Sequence, residues 1–184
     1  IWSSVIGDYQ NINKVLFQYI KDLQKQDPQG TAKSNFLGWH SKDFSLDDNS
    51  IKNFVETILP KIKNAIEDMG WDKDKNKIKI TSIWSIINTK NASNSRHIHA
   101  NNYISAAYYV KAPKNCGNII FYDPREAKTI RKPASNISNN LNAEIVSIVP
   151  EEGLLVLFPS YLHHSVNQNN TDERNSFLSG VLIG

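Results

Sequence analysis

The chain has 184 residues, 40% of them hydrophobic, and a formal net charge of +3 at pH 7. This length fits one domain with a sizeable core, and no run of about 18 apolar residues is present that would span a membrane. The 21 basic residues are scattered along the chain, which disfavours nucleic-acid binding. The single cysteine, Cys116, and the absence of a signal-peptide pattern at residues 1–4 indicate a cytoplasmic protein without disulfides.

The first third of the sequence predicts helices. Apolar residues recur at helical spacing from about Tyr9 to Lys25 and again from Ile51 to Met69. The polar run 47–50 offers N-cap residues for the second helix, and Gly70 is a natural C-cap. Pro60 lies inside this second pattern and predicts a kink or a break.

Beyond residue 76 the pattern changes to short strands separated by turns rich in Pro, Gly and Asn. The predicted strands are Lys77–Asn88, Ile104–Lys111, Asn118–Tyr122, Ala143–Val149, Leu154–Phe158 and Phe177–Ile183. Residues 91–94 predict a loop, and residues 124–142 predict a long polar connection at the surface. We therefore expect one domain over residues 1–184, in which a helical support region (1–75) packs on the outside of a β-sandwich or barrel (76–184).

Histidines are concentrated in two stretches of the predicted β region. Four of the five histidines lie in Arg96–His99 and Phe158–Val166. On extended backbone, His97 and His99 project to the same face, and imidazole is a common ligand of iron, copper, nickel and zinc. A histidine from a distant strand could complete a three-nitrogen face. The alternative is a pair of surface-loop histidines, because the His-x-His spacing alone is a weak signal.

One of the remaining histidines has to be selected as the candidate third ligand. His163 and His164 are adjacent, so on a strand they face opposite sides and only one can join a common site. We choose His164, because apolar residues two positions to either side share its face and it lies ten residues before Arg174. The fifth histidine, His40, follows a tryptophan, and we interpret it as structural.

A basic residue and a hydroxyl open the last predicted strand. Arg174 and Ser176 share one face of this strand. A guanidinium fork beside a hydroxyl is well matched to a carboxylate, and charge-assisted hydrogen bonds of this kind are strong. Taken alone, Arg174 is better explained as a surface residue that pairs with Asp172 or Glu173. Other motifs are needed to favour carboxylate binding.

Six motifs occur along the chain in a recognisable order. They are His-x-His, Ala-Ala-Tyr-Tyr-Val, Asn-Ile-Ile-Phe-Tyr-Asp-Pro-Arg, Val-Pro-Glu-Glu-Gly-x-Leu-Val-Leu-Phe-Pro-Ser, His-x-Val and Arg-x-Ser. From about Trp39 to Ile183 this combination resembles the 2-oxoglutarate- and Fe(II)-dependent oxygenase superfamily, and in particular a branch found in marine bacteria and their phages. The resemblance implies a double-stranded β-helix, a cupin-like jelly roll with flanking helices, in the cytoplasm of a bacterium or a phage-infected host.

The same resemblance implies a metal centre. Fe(II) would be the metal, and His97 and His164 would be two of its ligands. The middle ligand of the wider superfamily is usually Asp or Glu, whereas the matching position here is His99. We favour His99 as the third ligand, and Asp123 is the alternative carboxylate ligand.

The resemblance also implies 2-oxoglutarate as cosubstrate, together with O2. Arg174, Ser176 and Tyr109 would bind its distal carboxylate. The implied reaction hydroxylates a C–H bond of a small molecule or a protein side chain and releases succinate and CO2. Two other classes stay open, namely a cupin-type three-histidine dioxygenase that does not use 2-oxoglutarate and a non-catalytic jelly-roll binding module.

Overall fold

A computed structural model describes residues 1–72, 79–125, 133–139 and 141–173, and the backbone of residues 175–183. Within these ranges the chain forms two helices and eleven strands. The helices are α1 (Tyr9–Gln26) and α2 (Asn49–Asp68). The strands are β1 (Trp2–Val5), β2 (Asn35–Phe36), β3 (Trp39–His40), β4 (Ile80–Asn88), β5 (Ser93–His97), β6 (Ile104–Lys111), β7 (Ile119–Tyr122), β8 (Ile145–Ile148), β9 (Leu154–Pro159), β10 (His164–Val166) and β11 (Asn175–Ile183). Neither helix is long and apolar enough to cross a membrane.

The strands form two antiparallel sheets. The larger sheet has the order β1-β9-β6-β11-β4-β3, and the smaller has the order β2-β5-β10-β7-β8. Most neighbours in space are not neighbours in sequence, because the chain passes back and forth between the two sheets. This is the double-stranded β-helix that the sequence predicts, with both helices in the first third of the chain.

The helices begin and end where their sequence signals lie. The Asp48 carboxylate accepts a hydrogen bond from the backbone nitrogen of Ser50 at 2.8 Å and so caps α2. After α2, Gly70 adopts a φ of +66°, the left-handed conformation that closes many helices. Pro60 lies inside α2 without ending it, so of the two predicted outcomes, a kink or a break, the break does not occur.

Both helices pack against one face of the larger sheet. Their buried residues meet strand residues in a core that is mainly aliphatic, including Leu16, Ile20, Ile51, Ile58, Ile62, Ile83, Ile87, Val110, Leu155 and Leu157. Alternation along a strand sends the intervening residues to the other face. The opposite face of the larger sheet therefore faces the smaller sheet, and His97, His99 and His164 lie at this interior space.

Five strands were not predicted, namely β1, β2, β3, β5 and β10. β5 begins at Ser93, inside the predicted loop 91–94, and its sequence Ser-Asn-Ser-Arg-His contains no β-branched residue. It is a strand because β2 and β10 pair with it on either side, so tertiary pairing overrides weak propensity. The predicted strand start at 77–78 and part of the 124–142 connection lie outside the described residues.

Candidate metal centre

Two of the predicted ligand histidines face each other across a strand pair. His97 is the last residue of β5 and His164 is the first residue of β10. These strands pair antiparallel, with His97 and His164 directly opposite in the register. Their ring centroids lie 4.2 Å apart. Backbone pairing therefore brings together two side chains that are far apart in the sequence.

The third histidine joins them from the segment that follows β5. The backbone nitrogen of His99 donates to the carbonyl oxygen of Ser160 at 3.0 Å, which fixes this segment against the end of β9. The His99 ring centroid lies 5.0 Å from that of His97 and 5.0 Å from that of His164. One possible ligand nitrogen from each of the three histidines lies within 4.8 Å of the other two. We call these three residues the histidine cluster.

Hydrogen bonds select the tautomer of two members of the histidine cluster. Nδ1 of His97 lies 2.7 Å from the carbonyl oxygen of Ser95, and Nδ1 of His164 lies 3.0 Å from the carbonyl oxygen of Leu162. A carbonyl oxygen only accepts, so each Nδ1 carries the proton and donates it. The Nε2 atom of each ring is then left with its lone pair, as metal coordination requires.

Burial keeps the histidine cluster neutral. Burial, with a smaller contribution from the neighbouring His97, lowers the pKa of His164 to about 3 and the pKa of His99 to about 4. Burial also lowers the pKa of His97. At pH 7 all three imidazoles are therefore neutral, which is the form that binds metal ions. The aromatic rings of Phe158 and Phe121 pack on His164, with centroids at 4.6 and 6.1 Å, and limit the access of water.

A cavity of about 620 Å³ adjoins the histidine cluster. His97 and His99 line one side of it, and Trp84 and Ile86 of β4 line another. The segment between α1 and α2 supplies further lining side chains, among them Lys33, Ser34, His40 and Asp43. This volume is within the range of small-molecule sites, roughly 300–1,000 Å³.

A family model described as a putative 2OG-Fe(II) oxygenase matches residues 82–179, more than half of the chain. The chain belongs to this family. The match begins in β4 and ends in β11, so it contains the whole histidine cluster. The family description names 2-oxoglutarate and ferrous iron, in agreement with the cofactors expected from the motifs. No curated protein matches the sequence.

Solved structures of other oxygenases share the fold. A Pseudomonas putida prolyl-4-hydroxylase aligns with a TM-score of 0.69 at 12% identity, over 98% of this chain and 90% of that one. A collagen prolyl hydroxylase of Paramecium Bursaria Chlorella virus-1 aligns with a TM-score of 0.63 at 11% identity, over 100% and 97% of the two chains. The α-ketoglutarate-dependent epimerase SnoN of nogalamycin biosynthesis aligns with a TM-score of 0.69 at 11% identity, over 99% and 77%.

Asp123, the alternative carboxylate ligand of this 2OG-Fe(II) oxygenase, does not lie in the histidine cluster. Its carboxylate accepts hydrogen bonds from the backbone nitrogen and the guanidinium of Arg125, at 2.7–2.9 Å. Asp123 and Arg125 line a separate cavity of about 570 Å³, beside β7 and β8. Among the described residues, no carboxylate joins the histidine cluster.

The predicted cosubstrate residues are described to different extents. Tyr109 of β6 is fully buried and packs in the interior between the sheets. Burial raises its pKa, so the phenol is neutral and can donate a hydrogen bond. Arg174 lies outside the described residues. Ser176 lies in β11, where its backbone pairs with Ile87 of β4 and Lys111 of β6.

Two residues beside the histidine cluster were missed as functional candidates. Trp84 and His40 both line the cavity, and both are buried. The alternation along β4 gave a signal for Trp84, because residues two apart on a strand share a face. His40 gave none, since its position depends on how the segment before α2 crosses the sheets. His163, which we set aside, is exposed, whereas His164 is buried.

Proposed function

We propose that this family member is an Fe(II)- and 2-oxoglutarate-dependent dioxygenase that hydroxylates a C–H bond and releases succinate and CO2. The observation that supports this most strongly is the convergence of three neutral imidazoles beside a 620 Å³ cavity. Its metal ligands would be His97, His99 and His164. Such a set suits Fe(II), because imidazole nitrogen is a preferred donor for this ion.

The side chains of the histidine cluster are suited to binding Fe(II). The Nδ1–H groups of His97 and His164 donate to backbone carbonyls, which leaves the lone pair of each Nε2 available to a metal. When bound, the iron supplies the activation of O2 that is coupled to oxidation of 2-oxoglutarate. The chain itself holds the imidazoles neutral and, through Phe121 and Phe158, keeps one side of the cluster dry.

The cosubstrate would be held by Arg174, Ser176 and Tyr109. Phe177 of β11 pairs with Tyr109 of β6, so the start of β11 and the buried phenol belong to neighbouring strands. A guanidinium can form two parallel hydrogen bonds to a carboxylate, and a neutral phenol can donate a third. These groups suit the distal carboxylate of a five-carbon diacid.

Anaerobic titration tests this function. The protein should bind about one equivalent of Fe(II), and addition of 2-oxoglutarate should then produce a metal-to-ligand charge-transfer band. Arg174→Ala should keep its iron and need roughly ten- to a hundredfold more 2-oxoglutarate, since hydrogen bonds to charged groups contribute about 1.5–3 kcal/mol. Arg174→Lys should recover part of the loss, because it restores the charge without the fork.

The second candidate function is a cupin-type dioxygenase that does not use 2-oxoglutarate. The observation in its favour is the histidine cluster, in which no carboxylate takes part among the described residues. Such an enzyme has no need of Arg174. Protein that holds Fe(II) but gives no 2-oxoglutarate-dependent band or succinate would support this candidate, and protein that binds no metal would indicate a non-catalytic jelly-roll module.

We also propose a cytoplasmic location in a bacterium or a phage-infected host. Cys116 is buried and is the single cysteine of the sequence, so the chain forms no internal disulfide, which suits a reducing compartment. The motif order resembles the marine bacterial and phage branch of the superfamily. Fractionation of cells that express the tagged protein tests the location.

A further inference from the structure

His99 differs from the other two members of the histidine cluster in how its ring is held. His97 and His164 each donate Nδ1–H to a backbone carbonyl, at 2.7 and 3.0 Å. The His99 ring has no such hydrogen bond within the described parts of the chain. Its ring instead meets the indole of Trp84 in an edge-to-face contact, with centroids 5.6 Å apart and planes at 62°. Packing therefore supplies the orientation that a hydrogen bond supplies elsewhere.

Trp84 also contacts a second imidazole. The imidazole of His40 stacks against the indole, with centroids 5.7 Å apart and planes at 17°. Trp84 is 8% exposed, and its buried Nε1 has no acceptor among the described residues. The indole is therefore oriented by its contacts with two imidazoles rather than by a hydrogen bond of its own.

His40 is fixed by polar contacts. Its Nδ1 lies 2.6 Å from the carbonyl oxygen of Ser41 and 3.1 Å from the hydroxyl of Thr31. Ser41 is in turn tied to β4, because its backbone nitrogen donates to the carbonyl oxygen of Ser85 at 2.9 Å and its hydroxyl accepts from the Ser85 nitrogen at 2.9 Å. The stack His40–Trp84–His99 thus runs from hydrogen-bonded backbone to a predicted metal ligand.

We propose that Trp84 is the positioning residue for His99, and that His40 holds Trp84 in place for this role. This inference rests on the proposed metal site. Groups that orient metal ligands from behind are usually hydrogen-bond acceptors, and their loss typically costs ten- to a hundredfold in metal affinity. In this protein the indole of Trp84 would orient His99, one of the three proposed ligands. Trp84 acts through His99, so its contribution should vanish when His99 is absent.

The test uses the full chain with Co(II) as a spectroscopic probe of the site. Trp84→Leu should weaken Co(II) binding about ten- to a hundredfold and change the visible d–d absorption, which reports ligand geometry. Trp84→Phe, which keeps an aromatic ring, should retain most of the affinity. Trp71→Leu is the control, because it removes an indole that packs against the helix-facing core instead. Thermal melts before each titration establish that the variants are folded.

A double-mutant cycle separates positioning from general loosening of the fold. In a His99→Ala background, the additional substitution Trp84→Leu should leave Co(II) affinity unchanged, because the ligand it orients is gone. If Trp84→Leu does not fold, His40→Leu takes its place in the same cycle, and the same loss of effect is expected. An equal loss of affinity in both backgrounds overturns the proposal, as does a wild-type spectrum in Trp84→Leu.

The outcome also distinguishes this inference from the proposed function. Wild-type protein and Trp71→Leu that both bind Co(II) establish the metal site, whatever Trp84→Leu does. Normal binding by Trp84→Leu would then remove only the role of Trp84. Failure of folded wild-type protein to bind Co(II) or Fe(II) would instead remove the metal site, and the positioning role with it.

Discussion

Neighbouring residues of β6 belong to two different regions of the molecule. Tyr108 faces the helices and Tyr109 faces the space between the sheets, and both are fully buried. The hydroxyl of Tyr108 donates to Oδ1 of Asn13 on α1 at 2.7 Å. The Asn13 amide in turn donates to the carbonyl oxygen of Val110 at 2.8 Å. On the helix side, polar groups thus serve to attach α1 to the sheet.

The interior side has a different composition. It combines aromatic residues with the histidine cluster, and burial there keeps imidazoles neutral and ready to bind a metal. One strand thus attaches the helices with one set of alternate residues and faces the interior that holds the histidine cluster with the other. Substitutions on the helix side should therefore change the free energy of unfolding, and those on the interior side should change ligand binding.

The largest expected effect is on the interior side. His164→Ala removes a ligand that is 3% exposed and should lower Fe(II) affinity by more than about a hundredfold, beyond the usual effect of residues behind the ligands. Anaerobic Fe(II) titration measures this. His163→Ala, at the exposed neighbouring position, is the matched control and should bind Fe(II) normally. Unchanged affinity in His164→Ala would remove this residue from the site.

The identity of the third ligand gives the next largest effect. His99→Ala should weaken Fe(II) binding at least about tenfold, whereas Asp123→Ala should leave it unchanged. The reason is that Asp123 is engaged by Arg125 beside a different cavity. Metal content after desalting compares the two variants. Loss of iron from Asp123→Ala together with its retention by His99→Ala would restore a two-histidine carboxylate site.

A helix-side substitution should give the opposite phenotype. Tyr108→Phe leaves the buried Oδ1 of Asn13 without its donor and should lower the free energy of unfolding by about 1–3 kcal/mol. Fe(II) affinity should stay at the wild-type value. Urea denaturation and metal titration on the same preparation measure both quantities. Tyr109→Phe is the paired variant, in which we expect weaker 2-oxoglutarate binding, and a Tyr108→Phe protein with impaired metal binding would contradict the separation of the two faces.

The last expected effect concerns the pH dependence of the stability of the metal-free protein. Burial lowers the pKa of His164 from 6.5 to about 3, so between these values the unfolded chain binds a proton that the folded chain does not. Stability should therefore fall as pH decreases from 6.5, by about 1.4 kcal/mol per pH unit for this histidine at most. Urea denaturation at several pH values between 4 and 7 should give a shallower slope for His164→Phe than for wild type. Parallel slopes would show that His164 is not held neutral.

The sequence predicted the elements whose own residues favour them. β6 was predicted with its observed bounds, because Ile104–Lys111 is rich in β-formers and bounded by turn residues. His97 and His164 were predicted as partners because motifs flank both. β5 was missed, since its serines and asparagine form a strand only when β2 and β10 lie beside it. A long-range pairing of this kind leaves little trace in local composition.

The surroundings of the site were harder to predict than its ligands. His40 lies far from the histidine cluster in sequence and reaches it through the pairing of β3 with β4 and through hydrogen bonds between Ser41 and Ser85. The sequence neighbour of His40 is Trp39, which packs in the helix-facing core, so local context pointed away from the site. The ring that His40 meets belongs to Trp84, and this contact follows from the fold as a whole.

The direct pairing of β5 with β10 also determines when, during folding, a metal could be captured. The two strands are separated by much of the β region, and closing so long a loop costs entropy that no local contact repays. A chain that has formed only α1 and α2 has no opposed His97 and His164, and neither does one with isolated hairpins. The proposed site should therefore become able to bind a metal only when the smaller sheet is complete. Metal binding would then report that folding is finished, and we do not expect it to start folding.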